Sequence, residues 1–96
     1  MNRIEKLFKK LKTQNKKAFI PYIMAGDPSL EKTEEIVLMF EECGADIVEL
    51  GVPFTDPLAD GPTIQRAAER ALKNGVTLKK VIALVRDLRR KTKIPL

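Results

Sequence analysis

Residues Asp46–Val52 read Asp-Ile-Val-Glu-Leu-Gly-Val, an apolar run with one charge, Glu49, inside it. A run of this kind suits a parallel strand covered on both faces, because a strand with one wet face alternates polar and apolar residues. Parallel strands cannot be joined by a tight turn. They need a crossover of a dozen or more residues, usually a helix, so this segment constrains what must lie on either side of it.

The flanking sequence supplies those parts. Ala18–Met24 is a second dense apolar stretch, too short for a helix and stopped by Gly26-Asp27-Pro28, which predicts a buried strand and a turn. Asp27 or Ser29 then caps a helix with Glu31, Glu34 and Glu35 near its positive end, an apolar face of Ile36, Val37 and Phe40, and a stop at Cys43-Gly44. After the loop Pro53–Pro62, residues Thr63–Lys73 read as a helix with Ile64, Ala67, Ala68, Ala71 and Leu72 on its buried side, ended by Asn74-Gly75. Thr77 caps a further helix, where Leu78, Val81, Ile82, Val85 and Leu88 recur at three- and four-residue intervals. Upstream, Ile4, Leu7, Phe8 and Leu11 predict a short amphipathic helix with a lysine-rich outer face.

The order is helix, strand, helix, strand, helix, helix, and Ile94-Pro95-Leu96 reads as the start of a third parallel strand. The expected class is α/β: residues 1–96 form one domain portion, the opening βαβα section of a TIM (β/α)8 barrel of about 250 residues. On this reading the chain is truncated at the start of its third strand, and its open strand edges would favour self-association.

Several functions are excluded or disfavoured. With no histidine and one cysteine, Cys43, there is no set of soft metal ligands and no internal disulfide, and Cys43 reads as a helix-packing residue. No apolar run is long enough to span a membrane and no secretory h-region opens the chain, so it reads as cytoplasmic. The net charge of +5 comes from lysines near the amino end and from Arg86, Arg89, Arg90, Lys91 and Lys93, without interleaved aromatics. That is the pattern of solvated helix faces, not of a nucleic-acid reader. Neither the dinucleotide fingerprint nor the P-loop is present.

Alternation along the second strand puts Ile47, Glu49 and Gly51 on one face and Val48 and Leu50 on the other. If the valine and leucine meet the helices, Glu49 points into the barrel near the carboxyl end of its strand, where active sites of parallel α/β proteins lie. A carboxylate buried there would have its pKa raised and could act as a general acid/base; the competing reading is a strand-end glutamate bonded to a backbone amide or a lysine. Asp60 lies in the loop after the same strand and could reach the same cleft, or could be a turn former ahead of Gly61. Tyr22 shares the phase of Ile20 and Met24 and either lines the cavity or fills the core.

The segments Pro21-Tyr22-Ile23-Met24-Ala25-Gly26-Asp27-Pro28 and Glu49-Leu50-Gly51-Val52-Pro53-Phe54-Thr55-Asp56-Pro57-Leu58-Ala59-Asp60-Gly61-Pro62-Thr63-Ile64-Gln65 resemble the tryptophan synthase alpha chain family. Asn74-Gly75-Val76-Thr77 and Lys93-Ile94-Pro95-Leu96 fit the same pattern. The resemblance implies a lyase of tryptophan biosynthesis that uses no cofactor or metal and cleaves indole-3-glycerol phosphate to indole and glyceraldehyde 3-phosphate. It implies Glu49 as general acid/base, Asp60 as the partner of the indole N–H, and Tyr22 as an aromatic wall where the family often carries phenylalanine. It also implies that Pro53, Phe54, Asp56 and Pro57 meet a beta chain in a heterotetramer of two alpha and two beta chains, and that the phosphate site lies beyond Leu96. These 96 residues alone are then expected to be inactive. The alternative is a non-catalytic folding or protein-interaction module.

Overall fold

A computed structural model describes residues 1–55 and 59–96. Its elements are α1 (Arg3–Thr13), β1 (Tyr22–Met24), α2 (Leu30–Glu42), β2 (Glu49–Gly51), α3 (Pro62–Lys73) and α4 (Leu78–Arg89). The two strands pair in parallel with Tyr22 opposite Glu49, Ile23 opposite Leu50 and Met24 opposite Gly51.

Both strands are shorter than the apolar stretches that predict them, although pairing extends beyond them. The Glu49 N–H donates to the Pro21 carbonyl at 2.9 Å, the Asp46 N–H to the Phe19 carbonyl at 2.9 Å, and the Ala25 N–H to the Gly51 carbonyl at 2.9 Å. Pro21 has no N–H to return, which ends the regular ladder on its amino side. Asp46 compensates with its side chain: its Oδ2 accepts from the Phe19 N–H at 2.7 Å, tying the entry of β1 to that of β2.

Ile94-Pro95-Leu96 lies beside β2, with the Val48 N–H donating to the Pro95 carbonyl at 2.9 Å. Successive amides of a strand point to opposite edges. Glu49 faces β1 and Val48 faces Pro95, so β2 lies between β1 and the segment where a third strand was expected. Arg89 holds that segment by donating to the Thr92 and Ile94 carbonyls, and the Thr92 hydroxyl donates to Glu41 at 2.7 Å. Partial burial, followed by the nearby Arg3 charge, lowers the pKa of the Arg89 guanidinium.

The core lies between the sheet and its helices. Val37 of α2, Val48, Ala71 of α3 and Leu88 of α4 are fully buried, and Ile23, Leu50 and Val52 pack against the same cluster. Full burial of a valine or leucine is worth about 1.5–3 kcal/mol, so this cluster is the main source of cohesion. Ser29, not Asp27, caps α2: its hydroxyl accepts from the Lys32 N–H at 3.0 Å. Thr77 caps α4 as expected.

Two expectations need correction. The α4 stripe splits: Val81 and Leu88 are buried together with Leu84, but Leu78 is 59% and Ile82 54% exposed. These two rim an apolar groove shared with Leu50, Val52, Val85 and Leu96. Cys43 is not a packing residue; it is the exposed C-cap of α2. Among the described residues no helix is long and apolar enough to cross a membrane, and no group of three or more acidic, histidine or cysteine side chains could hold a metal ion.

Candidate active site

Register determines which side chains meet. Tyr22 and Glu49 are partners in adjacent parallel strands, and Met24 and Gly51 are the next pair, so all four leave the sheet on the face opposite Ile23 and Leu50. Gly51 is needed there because a Cβ would stand 2.0 Å from the Tyr22 Oη and 2.7 Å from its Cζ. The phenol therefore lies diagonally across β2, over the missing side chain.

Glu49 stands next to it and is exposed. The face is the one alternation predicts, but the burial inferred from sequence is absent. Among the described residues its carboxylate has neither the backbone amide nor the lysine partner that a structural role would supply. Asp60 closes the loop after β2, is half-buried, and accepts at its backbone carbonyl from Gln65 Nε2 at 2.7 Å. Gly61 is the N-cap of α3, so Asp60 is not a helix cap.

Electrostatics link the three residues. The pKa of the Tyr22 phenol is raised by its partial burial first, then by the negative charge of Asp60, then by that of Glu49. Both carboxylates thus act on one aromatic hydroxyl at the carboxyl end of a parallel sheet. At 42% exposure, Tyr22 is not a core residue. An accessible aromatic surface flanked by two carboxylates suits proton transfer to and from a flat, weakly basic substrate. Of the loop residues expected at a partner surface, Pro53 is buried and Phe54 exposed; Asp56 and Pro57 lie outside the described residues.

Sequence reasoning missed a group beside the site. Arg70 of α3 forms a two-pronged ion pair with Asp27, Nε to Oδ1 at 2.8 Å and one terminal nitrogen to Oδ2 at 2.9 Å. Asn74 donates to the Gly26 and Pro28 carbonyls. These partners are 43 to 48 residues apart, and nothing local in the sequence couples them.

The family described as tryptophan synthase alpha chain matches residues 8–96. The chain belongs to that family. It is 55% identical over all 96 residues to the tryptophan synthase alpha chain of Geotalea daltonii and 55% identical to that of Clostridium kluyveri, covering 36% of each. The crystal structure of tryptophan synthase subunit alpha from Legionella pneumophila superposes with a TM-score of 0.95 at 46% identity, over 99% of this chain and 36% of that one. The 96 residues therefore span about a third of the length of these alpha chains.

Proposed function

We propose that these residues belong to a tryptophan synthase alpha chain acting as a lyase on indole-3-glycerol phosphate, and that they form the first strands and helices of its (β/α)8 barrel. The carrying observation is the pairing of Glu49 and Tyr22 on one open face at the carboxyl end of two parallel strands, with the Asp60 charge near enough to act on the same phenol, in a member of this family.

In the proposed reaction Glu49 delivers a proton to the indole ring carbon that bears the glycerol phosphate chain. Asp60 accepts the indole N–H and stabilises the positive charge that develops on the ring. Glu49 then takes the proton of the adjacent glycerol hydroxyl, the carbon–carbon bond breaks, and its electrons return to the ring. The products are indole and glyceraldehyde 3-phosphate, so atoms and electrons balance without a cofactor. Tyr22 offers its ring as one wall for the indole. The exposure of Glu49 in these 96 residues fits a site that the remainder of a barrel encloses; enclosure would supply the desolvation that a general acid at neutral pH needs.

Phe54, exposed on the loop after β2, is available to a partner, which we take to be the beta chain; a related structure from Pyrococcus furiosus is a tryptophan synthase complex. A second reading, a module that works by docking alone, draws on the open apolar groove around Leu78 and Ile82. An indole-release assay on the coding sequence extended to the length of the relatives separates the two. We expect turnover that Glu49→Gln abolishes while the circular dichroism spectrum is unchanged. Near-normal turnover in that variant would overturn the acid/base role, and no turnover in the extended wild type would favour the docking module.

A further inference from the structure

The N-cap of α3 is Gly61, which offers no side chain to the first turn. The turn is tied to the helix from the other direction, the Gln65 amide donating to the Asp60 carbonyl at 2.7 Å, so the Asp60 backbone moves with the helix. Where Asp60 stands is therefore decided by what seats α3.

The buried face of α3 is Ala67, Ala68 and Ala71. Alanines allow close approach but present a shallow surface, and Ile64 in the first turn adds only a partly buried, non-directional contact with the core. The directional contacts lie at the far end, where Arg70 engages both oxygens of Asp27 and Asn74 holds the Gly26 and Pro28 carbonyls. Their target is rigid. Gly26 has φ +94°, and a Cβ on it would meet Val76 Cγ2 at 2.2 Å. Its N–H donates to the buried Thr33 hydroxyl at 3.0 Å, which itself donates to the Ser29 carbonyl at 2.7 Å. The loop after β1 is thus pinned to α2 and offers α3 a fixed anchor.

We propose that Arg70 and Asn74 are positioning residues for Asp60: by fastening α3 to the loop after β1 they set where its carboxylate stands relative to Tyr22 and Glu49. Nine residues separate Arg70 from Gly61, about 13 Å of helix at 1.5 Å per residue. A tilt of about 5° at the Arg70 end displaces the first turn by roughly 1 Å, a misplacement that can lower a catalysed rate about a hundredfold. The catalytic consequence rests on the lyase reading, but the positioning does not.

The test uses Tyr22, the single tyrosine in a chain without tryptophan, so its ring signals in a proton NMR spectrum are unambiguous. Asp60 and Glu49 are the charges among the described residues that bear on it. On acidification that neutralises the carboxylates the Tyr22 signals should shift, and Asp60→Asn should remove the step that Asp60 contributes. Arg70→Met and Asn74→Ala should each diminish that step while amide dispersion shows an intact fold, and neither should change the titration further once Asp60 is Asn. A wild-type titration in both folded variants, or an equal change in the Asp60→Asn background, overturns the proposal. Should Arg70→Met fail to fold, Arg70→Lys keeps the charge but loses the fork; a diminished step supports the proposal and a wild-type one overturns it. In the extended, active protein Arg70→Met should lower kcat about tenfold to a hundredfold with KM little changed. Loss of turnover in Asp60→Asn without any such NMR effect of Arg70→Met would separate a failed positioning proposal from a failed lyase reading.

Discussion

The corner where the loop after β1 meets α3 and the open face of the sheet lie a few residues apart, yet they are built on opposite principles. In the corner, Asp27, Gly26 and Pro28 find partners on α3 and Thr33 joins them to α2. On the face, Tyr22 and Glu49 are exposed, and the two carboxylates that act on the phenol share one sign of charge. The first arrangement fixes geometry, and the second leaves reactive groups accessible. A site that must admit a substrate cannot satisfy its own polar groups, so rigidity has to come from next door.

The largest expected effect that could break this contrast is Gly26→Ala. It places a methyl against Val76 in a left-handed conformation, and overpacking together with backbone strain should cost about 3 kcal/mol, read from urea unfolding. A loss below about 1 kcal/mol would mean that the corner yields easily.

Asp27→Asn should cost less, because it leaves Arg70 with a weakened acceptor while most of the guanidinium stays solvated. Its check is the same unfolding curve, and a neutral result would remove the ion pair from the account.

On the open face, Glu49→Gln should change stability by less than about 0.5 kcal/mol, because an exposed carboxylate without a partner among the described residues gives up little. A stabilisation of 1 kcal/mol or more, on the order expected for removal of a strained charge, would show that Glu49 is less free than it looks.

The smallest effect is in alkaline titration. Since the folded-state pKa of Tyr22 is raised, its contribution to stability is fully present below the unfolded value near 10 and is lost as pH rises through the folded value. Ultraviolet absorbance should place the phenolate midpoint above that of free tyrosine, and Asp60→Asn should bring it down.

Much of this was legible beforehand. The apolar runs located both strands, the phase of Glu49 identified its face, and Thr77 and Asn74-Gly75 marked helix boundaries later found in the fold. Where reading failed, local signals were degenerate. Asp27 and Ser29 are equally good caps by type, and only a guanidinium 43 residues away claims one of them. Leu78 and Ile82 obey helical periodicity, but periodicity gives a stripe and not what covers it, so Leu84 rather than either of them entered the core. Glu49 looked buried because its neighbours are apolar, yet those neighbours pack on the other side of the sheet.

The sequence by itself determined the order of the elements, the parallel pairing that apolar strands and helical crossovers demand, and the face from which Glu49 projects, because each follows from spacing along the chain. Tertiary structure alone decided that Tyr22 crosses β2 above Gly51, that Asp60 acts on the same phenol, and that Arg70 and Asn74 fasten α3 to the loop after β1. These depend on distances between residues far apart in the chain. Such distances are set by how closely the helices seat on the sheet, which hydrophobic patterning leaves open and small residues such as Gly26 and Ala71 decide.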